Sequence, residues 1–257
     1  MKLFVAGCHG GETVKHRTSG FVLDGKLAID AGSLTGAMTL AEQSKLQAVL
    51  VSHAHLDHIR DLATISDNRA QLGRPALDVI GTKETLAALR RHFFNDLLWP
   101  DFTRIPSRAN PAIRLVTIPL LREVDVHGYR VRAVPVTHTV DSAGFIVRDK
   151  SGAAVVYSGD TGPTEKLWEM IDKTPKVVAL MMEVSFPSAY HALAMSSGHH
   201  TPETLERDLK KLEKNRQIPV LLYHMKPAFQ GALERECAKI RGYDLTPLKV
   251  GDEFSIR

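Results

Sequence analysis

The chain reads as an α/β protein built from two mixed sheets packed face to face, with helices outside. Three observations predict this. Short apolar, strand-like runs open each half of the sequence, and alternating strand and helix patterns follow them, so the same order is met twice. Of the 257 residues, 44% are hydrophobic and 24% charged, enough apolar surface for a large shared core. A chain of this size buries about 70% of its extended surface and needs no covalent staples.

The elements follow in order. Strands are expected at Lys2 to Ala6, Gly20 to Leu23, Lys26 to Ile29 and Ala48 to Val51, separated by Gly, Ser and Thr turns. Ile59, Leu62 and Ile65 recur at helical spacing, predicting a helix from Ile59 to Leu72, before a strand at Leu77 to Ile80. A longer helix is expected from Thr82 to Leu98, stopped by Pro100, with an ordered loop over 99–112. The second half gives strands at Ile113 to Ile118, Tyr129 to Val136, Ala143 to Val147 and Ala153 to Tyr157. A helix from Thr164 to Asp172 leads into a strand at Val177 to Met182. A helix from Pro202 to Asn215 follows, with Thr201 as its N-cap and Pro at the first helical position. Strand Pro219 to Tyr223 and helix Ala232 to Ile240 close the pattern. No shift in composition marks a linker, so residues 1–257 are expected to form a single domain.

Charge and cysteine usage exclude several functions. Lys and Arg number 33 against 29 Asp and Glu, a net charge of +4, and the basic residues are dispersed. That argues against a dedicated nucleic-acid surface and suits a small anionic substrate. Cys8 and Cys237 stand far apart, which rules out a disulfide framework or a cysteine-rich zinc site. No apolar stretch is long enough to span a bilayer, and the first ten residues do not read as a secretory signal. A cytoplasmic protein without a membrane partner is expected. No Gly-x-Gly-x-x-Gly follows a strand, which lowers a dinucleotide-binding reading.

The informative residue is histidine, present twelve times. His53-Ala54-His55-Leu56-Asp57-His58 stands directly after the strand ending at Val51. Three imidazoles and a carboxylate in six residues are costly to desolvate unless something uses them. On such a loop His53 and His55 can face one point, while Asp57 and His58 turn toward a second. Later strands end in His138, in Asp160 within a Ser-Gly-Asp-Thr turn, and in His224. Each of these alone is weak, since a lone His at a strand end is more often structural. Together they make five His and two Asp, a nitrogen and oxygen donor set for two metals sharing one carboxylate, with an open edge for water.

With these residues in view, the sequence resembles the metallo-β-lactamase superfamily of binuclear metal hydrolases over essentially its whole length. The resemblance implies a four-layer αβ/βα sandwich with metals at one edge of the sheets. It implies one metal on His53, His55 and His138, a second on Asp57, His58 and His224, and Asp160 as the bridge. Asp30, in Asp30-Ala31-Gly32, matches the turn whose Asp orients the ligand loop. Within the superfamily, several segments are similar to class II cyclic-nucleotide phosphodiesterases: Thr18-Ser19, Gly7 to Glu12, Gly198-His199-His200-Thr201-Pro202 and His224-Met225-Lys226-Pro227. So are His92-Phe93-Phe94-Asn95 and Trp99-Pro100-Asp101-Phe102. Asp61 and Ala63-Thr64 depart from that class.

Glu183 and His199 are left over once the metals are filled. In the phosphodiesterase branches a Glu–His pair at these places protonates the leaving oxygen, so Asp57, Glu183 and His199 are the catalytic candidates. His200 is placed behind the ligands or in solvent. Phe93, Asn95 and Trp99, with Asn68 one helix beyond the metal loop, form the candidate substrate wall, although a helix with core aromatics would read the same way. The expected reaction is hydrolysis of 3′,5′-cyclic nucleotides to 5′-monophosphates. The cofactors are two divalent metals, zinc by default, with manganese or iron admitted because no thiolate enforces softness. The partner is a small-molecule cyclic nucleotide, and a homodimer is compatible with the chain. The rivals are a tRNA 3′-processing-type ribonuclease, a thioester or lactone hydrolase, and a non-catalytic nucleotide or metal sensor.

Overall fold

Period-two burial on both faces of the strands builds the layers. Successive strand side chains point to opposite sides, and here both sides are covered. The computed structural model describes residues 1–214 and 217–256. In β1 (Lys2–Gly7), Leu3 and Val5 join a central core while Phe4 and Ala6 join an outer one. The alternation continues in β2 (Gly20–Leu23), where Phe21 and Leu23 oppose Val22, and in β3 (Leu27–Ile29), where Leu27 and Ile29 oppose Ala28. β4 (Ala48–Leu50), β5 (Leu77–Gly81) and β6 (Ile113–Thr117) extend this sheet in parallel from β3. Its outer face is covered by α2 (Leu56–Ile59), α3 (Leu62–Gln71) and α4 (Lys83–Ala88), the short α1 (Leu40–Gln43) lying beside them.

The second sheet repeats the scheme. β7 (Glu123–Val126), β8 (Tyr129–Pro135), β9 (Ala143–Arg148) and β10 (Ala154–Tyr157) are antiparallel neighbours. β11 (Val177–Glu183), β12 (Pro219–Tyr223) and β13 (Asp244–Pro247) then add in parallel to β10. α5 (Lys166–Lys173), α7 (Pro202–Leu209) and α8 (Gln230–Cys237) cover its outer face through Trp168, Leu205 and Leu233; α6 (His191–Ser197) precedes α7. β14 (Glu253–Ser255) returns to pair with β1 at the edge of the first sheet. Among the described residues each sheet therefore has seven strands, and Phe21, Leu50, Phe145, Tyr157 and Tyr223 fill the space between the sheets. The result is the four-layer αβ/βα sandwich. Among the described residues no helix is long and apolar enough to cross a membrane.

Three helices differ from expectation, each for a local reason. The helix expected from Ile59 to Leu72 is divided into α2 and α3. Between them the Asp61 N–H donates to Ala31 O, and the Asp61 carboxylate accepts from Thr35 N–H and hydroxyl, both at 2.7 Å. The helix expected from Thr82 to Leu98 passes from α4 into a π-helical turn, Leu89–Phe93, and stops there. Asn95 Oδ1 accepts the Leu97 and Leu98 N–H groups, and the Asn95 and Asp96 N–H groups turn to Trp99 O. These contacts take the backbone donors well before Pro100. α7 is capped by Thr201 as expected but ends at Leu209; Asn215, its expected end, lies outside the described residues. β7, β13, β14, α1 and α6 are additional to the elements read from the sequence.

Candidate metal centre

The first ligand segment changes conformation where its chemistry changes. Ser52 and His53 follow β4 outside any regular element, and His55, the N-cap of α2, has extended backbone. Asp57 and His58 then sit in the first turn of that helix. Non-helical and helical halves therefore aim at different points. His53 and His55 converge with His138, and Asp57 and His58 converge with Asp160 and His224, each group holding its ligand atoms within 4.8 Å of one another. Two glycines permit this approach. A Cβ on Gly32 would lie 1.9 Å from Asp57 O. Gly198, at φ +68°, lets its carbonyl reach His138, where a Cβ would strike the His138 backbone.

Hydrogen bonds behind the cluster fix which imidazole nitrogen faces it. Ser52 gives its hydroxyl proton to Asp30 Oδ2 at 2.8 Å, so the contact of 3.0 Å between Ser52 Oγ and His53 Nδ1 is donated by the ring. His138 Nδ1 donates to Gly198 O at 2.9 Å, and His58 Nδ1 donates to Asp30 Oδ2 at 2.7 Å. The Nε2 atoms of His53, His58 and His138 are thus left pointing inward. His53 Nε2 and His138 Nε2 stand 3.0 and 3.2 Å from His55 Nδ1. These nitrogen separations match the ligand spacing of a metal site, since a tetrahedron of about 2.0–2.1 Å zinc–nitrogen bonds has edges of about 3.3 Å.

Asp160 joins the two groups. Its Oδ2 lies 3.2 Å from both His58 Nε2 and His224 Nε2 and 3.8 Å from His53 Nε2. Its Oδ1 is buried with no hydrogen-bond partner, the sign of a carboxylate shaped for a cation. Burial pushes the Asp160 pKa up, but the surrounding imidazoles, His224 foremost, hold it well below the usual range. Burial and the neighbouring His58 keep His53 neutral. His58 goes the other way: burial opposes its charge, yet Asp160 and Asp30 on either side raise its pKa well above the ordinary value. A cation would take the place of that proton. The donor set and its protonation therefore fit two divalent metals.

Glu183 and His199 sit beside the second group. Glu183 Oε1 accepts from His199 Nδ1 at 3.0 Å and from the N–H groups of Thr161 and His200 at 3.2 and 3.1 Å. Burial lowers the His199 pKa, but the Glu183 charge and hydrogen bond outweigh it and the net shift is upward. His200 is fully buried, not solvated: its Nδ1 meets Thr204 Oγ1 at 3.0 Å at the start of α7.

A cavity of about 390 Å³ opens beside His55, lined by Leu56, Ile59, Leu89, Phe93 and His92, with Glu84 and Asp141 among its polar groups. Phe93 therefore reaches the centre's surroundings. The other three residues expected to meet substrate do not line this cavity. Trp99 is packed against the outer core and donates Nε1–H to Ala63 O at 3.2 Å. Asn95 spends its amide on the Arg91, Leu97 and Leu98 backbone. Asn68 donates to Gln43 Oε1 at 2.9 Å, toward α1 and not toward the ligands. Sequence reasoning missed Ser52, Tyr157 and Ser185, which stand behind the ligands; their polar atoms in apolar strand-end runs were the available signal.

Two stacked mixed sheets with a His/Asp cluster at one edge define a metal-dependent hydrolase of the metallo-β-lactamase fold. A family model described as "Beta-lactamase superfamily domain" matches residues 29–225, and the chain belongs to that superfamily. It is 26% identical to the probable 3′,5′-cyclic-nucleotide phosphodiesterase of Yersinia pestis over 248 residues, 88% of this chain and 68% of that protein. Over 140 residues it is 32% identical to zinc phosphodiesterase ELAC protein 2 of Homo sapiens, 49% of this chain and 17% of that one. Its fold superposes on that of unliganded yeast PDE1 with a TM-score of 0.83, at 18% identity and 98% coverage of both chains.

Proposed function

We propose that this protein is a cytoplasmic, binuclear metal-dependent phosphodiesterase that hydrolyses 3′,5′-cyclic nucleotides to 5′-monophosphates. The observation that carries the reading is that Asp160 Oδ2 faces imidazoles of both donor groups, with the Glu183–His199 pair next to them. His53, His55 and His138 would hold one metal, Asp57, His58 and His224 the other, and Asp160 both, with zinc the expected ion. Bound divalent cations supply Lewis acidity toward the phosphodiester oxygens and the attacking water. The chain's own residues do the rest. Asp30 and Ser52 hold the ligand rings in orientation, and Glu183 keeps His199 charged so that it can give a proton to the departing 3′ oxygen. Phe93 and the apolar lining of the cavity beside His55 offer a surface for a base.

The tRNA 3′-processing reading draws on the zinc phosphodiesterase relatives. It requires an RNA-clamping arm, and the sequence has no Gly-rich or basic insertion to make one. The test is turnover of cyclic AMP, cyclic GMP, a precursor tRNA and bis(p-nitrophenyl) phosphate by one sample of known metal content. Cleavage of the cyclic nucleotides to 5′-monophosphates supports the proposal. Cleavage of the precursor alone gives the site to the rival, and inertness toward all four leaves a thioester or lactone hydrolase or a sensor.

A further inference from the structure

Ser185 follows β11 by two residues and is fully buried. Its backbone N–H is held by His200 O at 3.0 Å, which anchors it between the acid pair and the second donor group. Four atoms lie within hydrogen-bond distance of its hydroxyl: Glu183 Oε2 at 2.8 Å, His224 Nδ1 at 2.9 Å, His199 Nδ1 at 3.2 Å and His224 O at 3.3 Å. One hydroxyl has one proton, so the arrangement can be solved. The proton goes to Glu183 Oε2, which is both the nearest acceptor and a carboxylate. His199 Nδ1–H is already committed to Glu183 Oε1 at 3.0 Å. The remaining short contact, His224 Nδ1, must then be the donor to Ser185 Oγ.

We infer that Ser185 is a positioning residue that couples the metal ligand His224 to the acid pair Glu183–His199. The relay runs His224 Nδ1–H to Ser185 Oγ, then Ser185 O–H to Glu183 Oε2, with His199 Nδ1–H on the other oxygen of the same carboxylate. Its first effect is on the tautomer. With its proton on Nδ1, His224 presents a bare Nε2, which lies 3.2 Å from Asp160 Oδ2 and 3.3 Å from both Asp57 Oδ2 and His58 Nε2. The other tautomer would point Nε2–H into the donor group and close it to a cation. Its second effect is on the acid. Ser185 fills Glu183 Oε2, so the carboxylate is left in one orientation, with Oε1 on His199.

The metal half of this inference stands on the donor geometry alone; the acid half rests on the phosphodiesterase reading, and the experiment keeps them apart. Ser185→Ala removes the hydroxyl without adding bulk. Ser185→Thr and Ser185→Val compare equal shapes with and without it. The first readout is zinc affinity of both sites by chelator competition, with circular dichroism confirming the fold. We expect Ala and Val to lose 10- to 100-fold, the usual effect of removing a partner behind a ligand, and Thr to exceed Val at least fivefold. Wild-type affinity in Ser185→Ala, or equal affinities in Thr and Val, would overturn the coupling. The second readout is the ratio of cyclic-nucleotide turnover to bis(p-nitrophenyl) phosphate turnover at saturating zinc. It should fall in Ala and Val and recover in Thr; an unchanged ratio would refute the acid half. A wild-type protein inert on both substrates sinks the phosphodiesterase reading while the zinc measurement still decides the role of Ser185 toward His224.

Discussion

The Tyr157 hydroxyl donates to Asp30 Oδ2 at 2.6 Å, a bond that crosses from the second sheet to the first directly behind the ligand cluster. Asp30 also accepts from Ser52 N–H and hydroxyl, both at 2.8 Å, and from His58 Nδ1 at 2.7 Å. One buried carboxylate therefore ties β10, the ligand loop and a metal-facing imidazole together. Burial, with Asp30 next to it, pushes the Tyr157 pKa well above the ordinary value, so the phenol remains a donor.

Tyr157→Phe should keep the ring stack on Tyr223, whose centroids are 5.0 Å apart, and remove only this donor. A hydrogen bond to a charged group contributes roughly 1.5–3 kcal/mol. Urea unfolding of the metal-free variant should show a loss in that range, and zinc affinity should fall because His58 loses part of its support. Unchanged stability and affinity would make the contact incidental.

Asp160→Ala should remove most of both metals, because Oδ2 faces imidazoles of both groups while the buried Oδ1 has no protein partner. Asp160→Asn, which keeps the shape but not the charge, should retain more. Elemental analysis after dialysis reads both. Full occupancy of both sites in the Ala variant would end the bridging assignment.

The donor cluster was legible because a metal site would concentrate costly side chains: His53 to His58 crowd three imidazoles and a carboxylate together, and His138, Asp160 and His224 each end an apolar run. The supporting residues were not legible. Ser185 and Tyr157 acquire their roles from atoms 39 and 127 positions away, His224 Nδ1 and Asp30 Oδ2. The aromatic segment misled for a related reason. Phe93 and Trp99 have the same composition-level signature and both join the outer core, but Phe93 also lines the cavity beside His55, whereas Trp99 meets a backbone carbonyl 36 residues earlier. The fold's two halves showed in the strand and helix order, whereas the break at Asp61 depends on Thr35, which periodicity does not reach.

That division between Phe93 and Trp99 is measurable. Trp99→Ala should cost roughly 2–4 kcal/mol of stability, somewhat less than a fully enclosed Trp because the ring is half-buried. Its KM for a cyclic nucleotide should be near wild type at temperatures where the variant is folded. Phe93→Ala should raise that KM by the equivalent of roughly 1–3 kcal/mol of lost stacking, with bis(p-nitrophenyl) phosphate little affected. A KM effect at Trp99 as large as at Phe93 would contradict the packing.

His199→Ala separates leaving-group chemistry from metal binding. His199 is tied to Glu183 and lies outside both proposed ligand sets, so metal content should stay near wild type. A ribose 3′ alkoxide leaves poorly without a proton, and help from a general acid is worth about 10²–10⁴-fold, so cyclic-nucleotide turnover should fall by that order. A p-nitrophenolate leaves unaided, and that substrate should lose far less. The pH profile gives an independent check. Glu183 raises the folded pKa of His199 above its ordinary value, so its protonation is lost only as pH rises through that raised value. Cyclic-nucleotide turnover should therefore decline on the alkaline side, and the stabilisation from the ion pair should be complete just below the unfolded pKa of histidine and fade over the same limb. Glu183→Gln removes the charge that raises His199, so the limb should move to lower pH. If the limb stays in place, or if His199→Ala releases a metal or slows both substrates alike, the proton must come from another group.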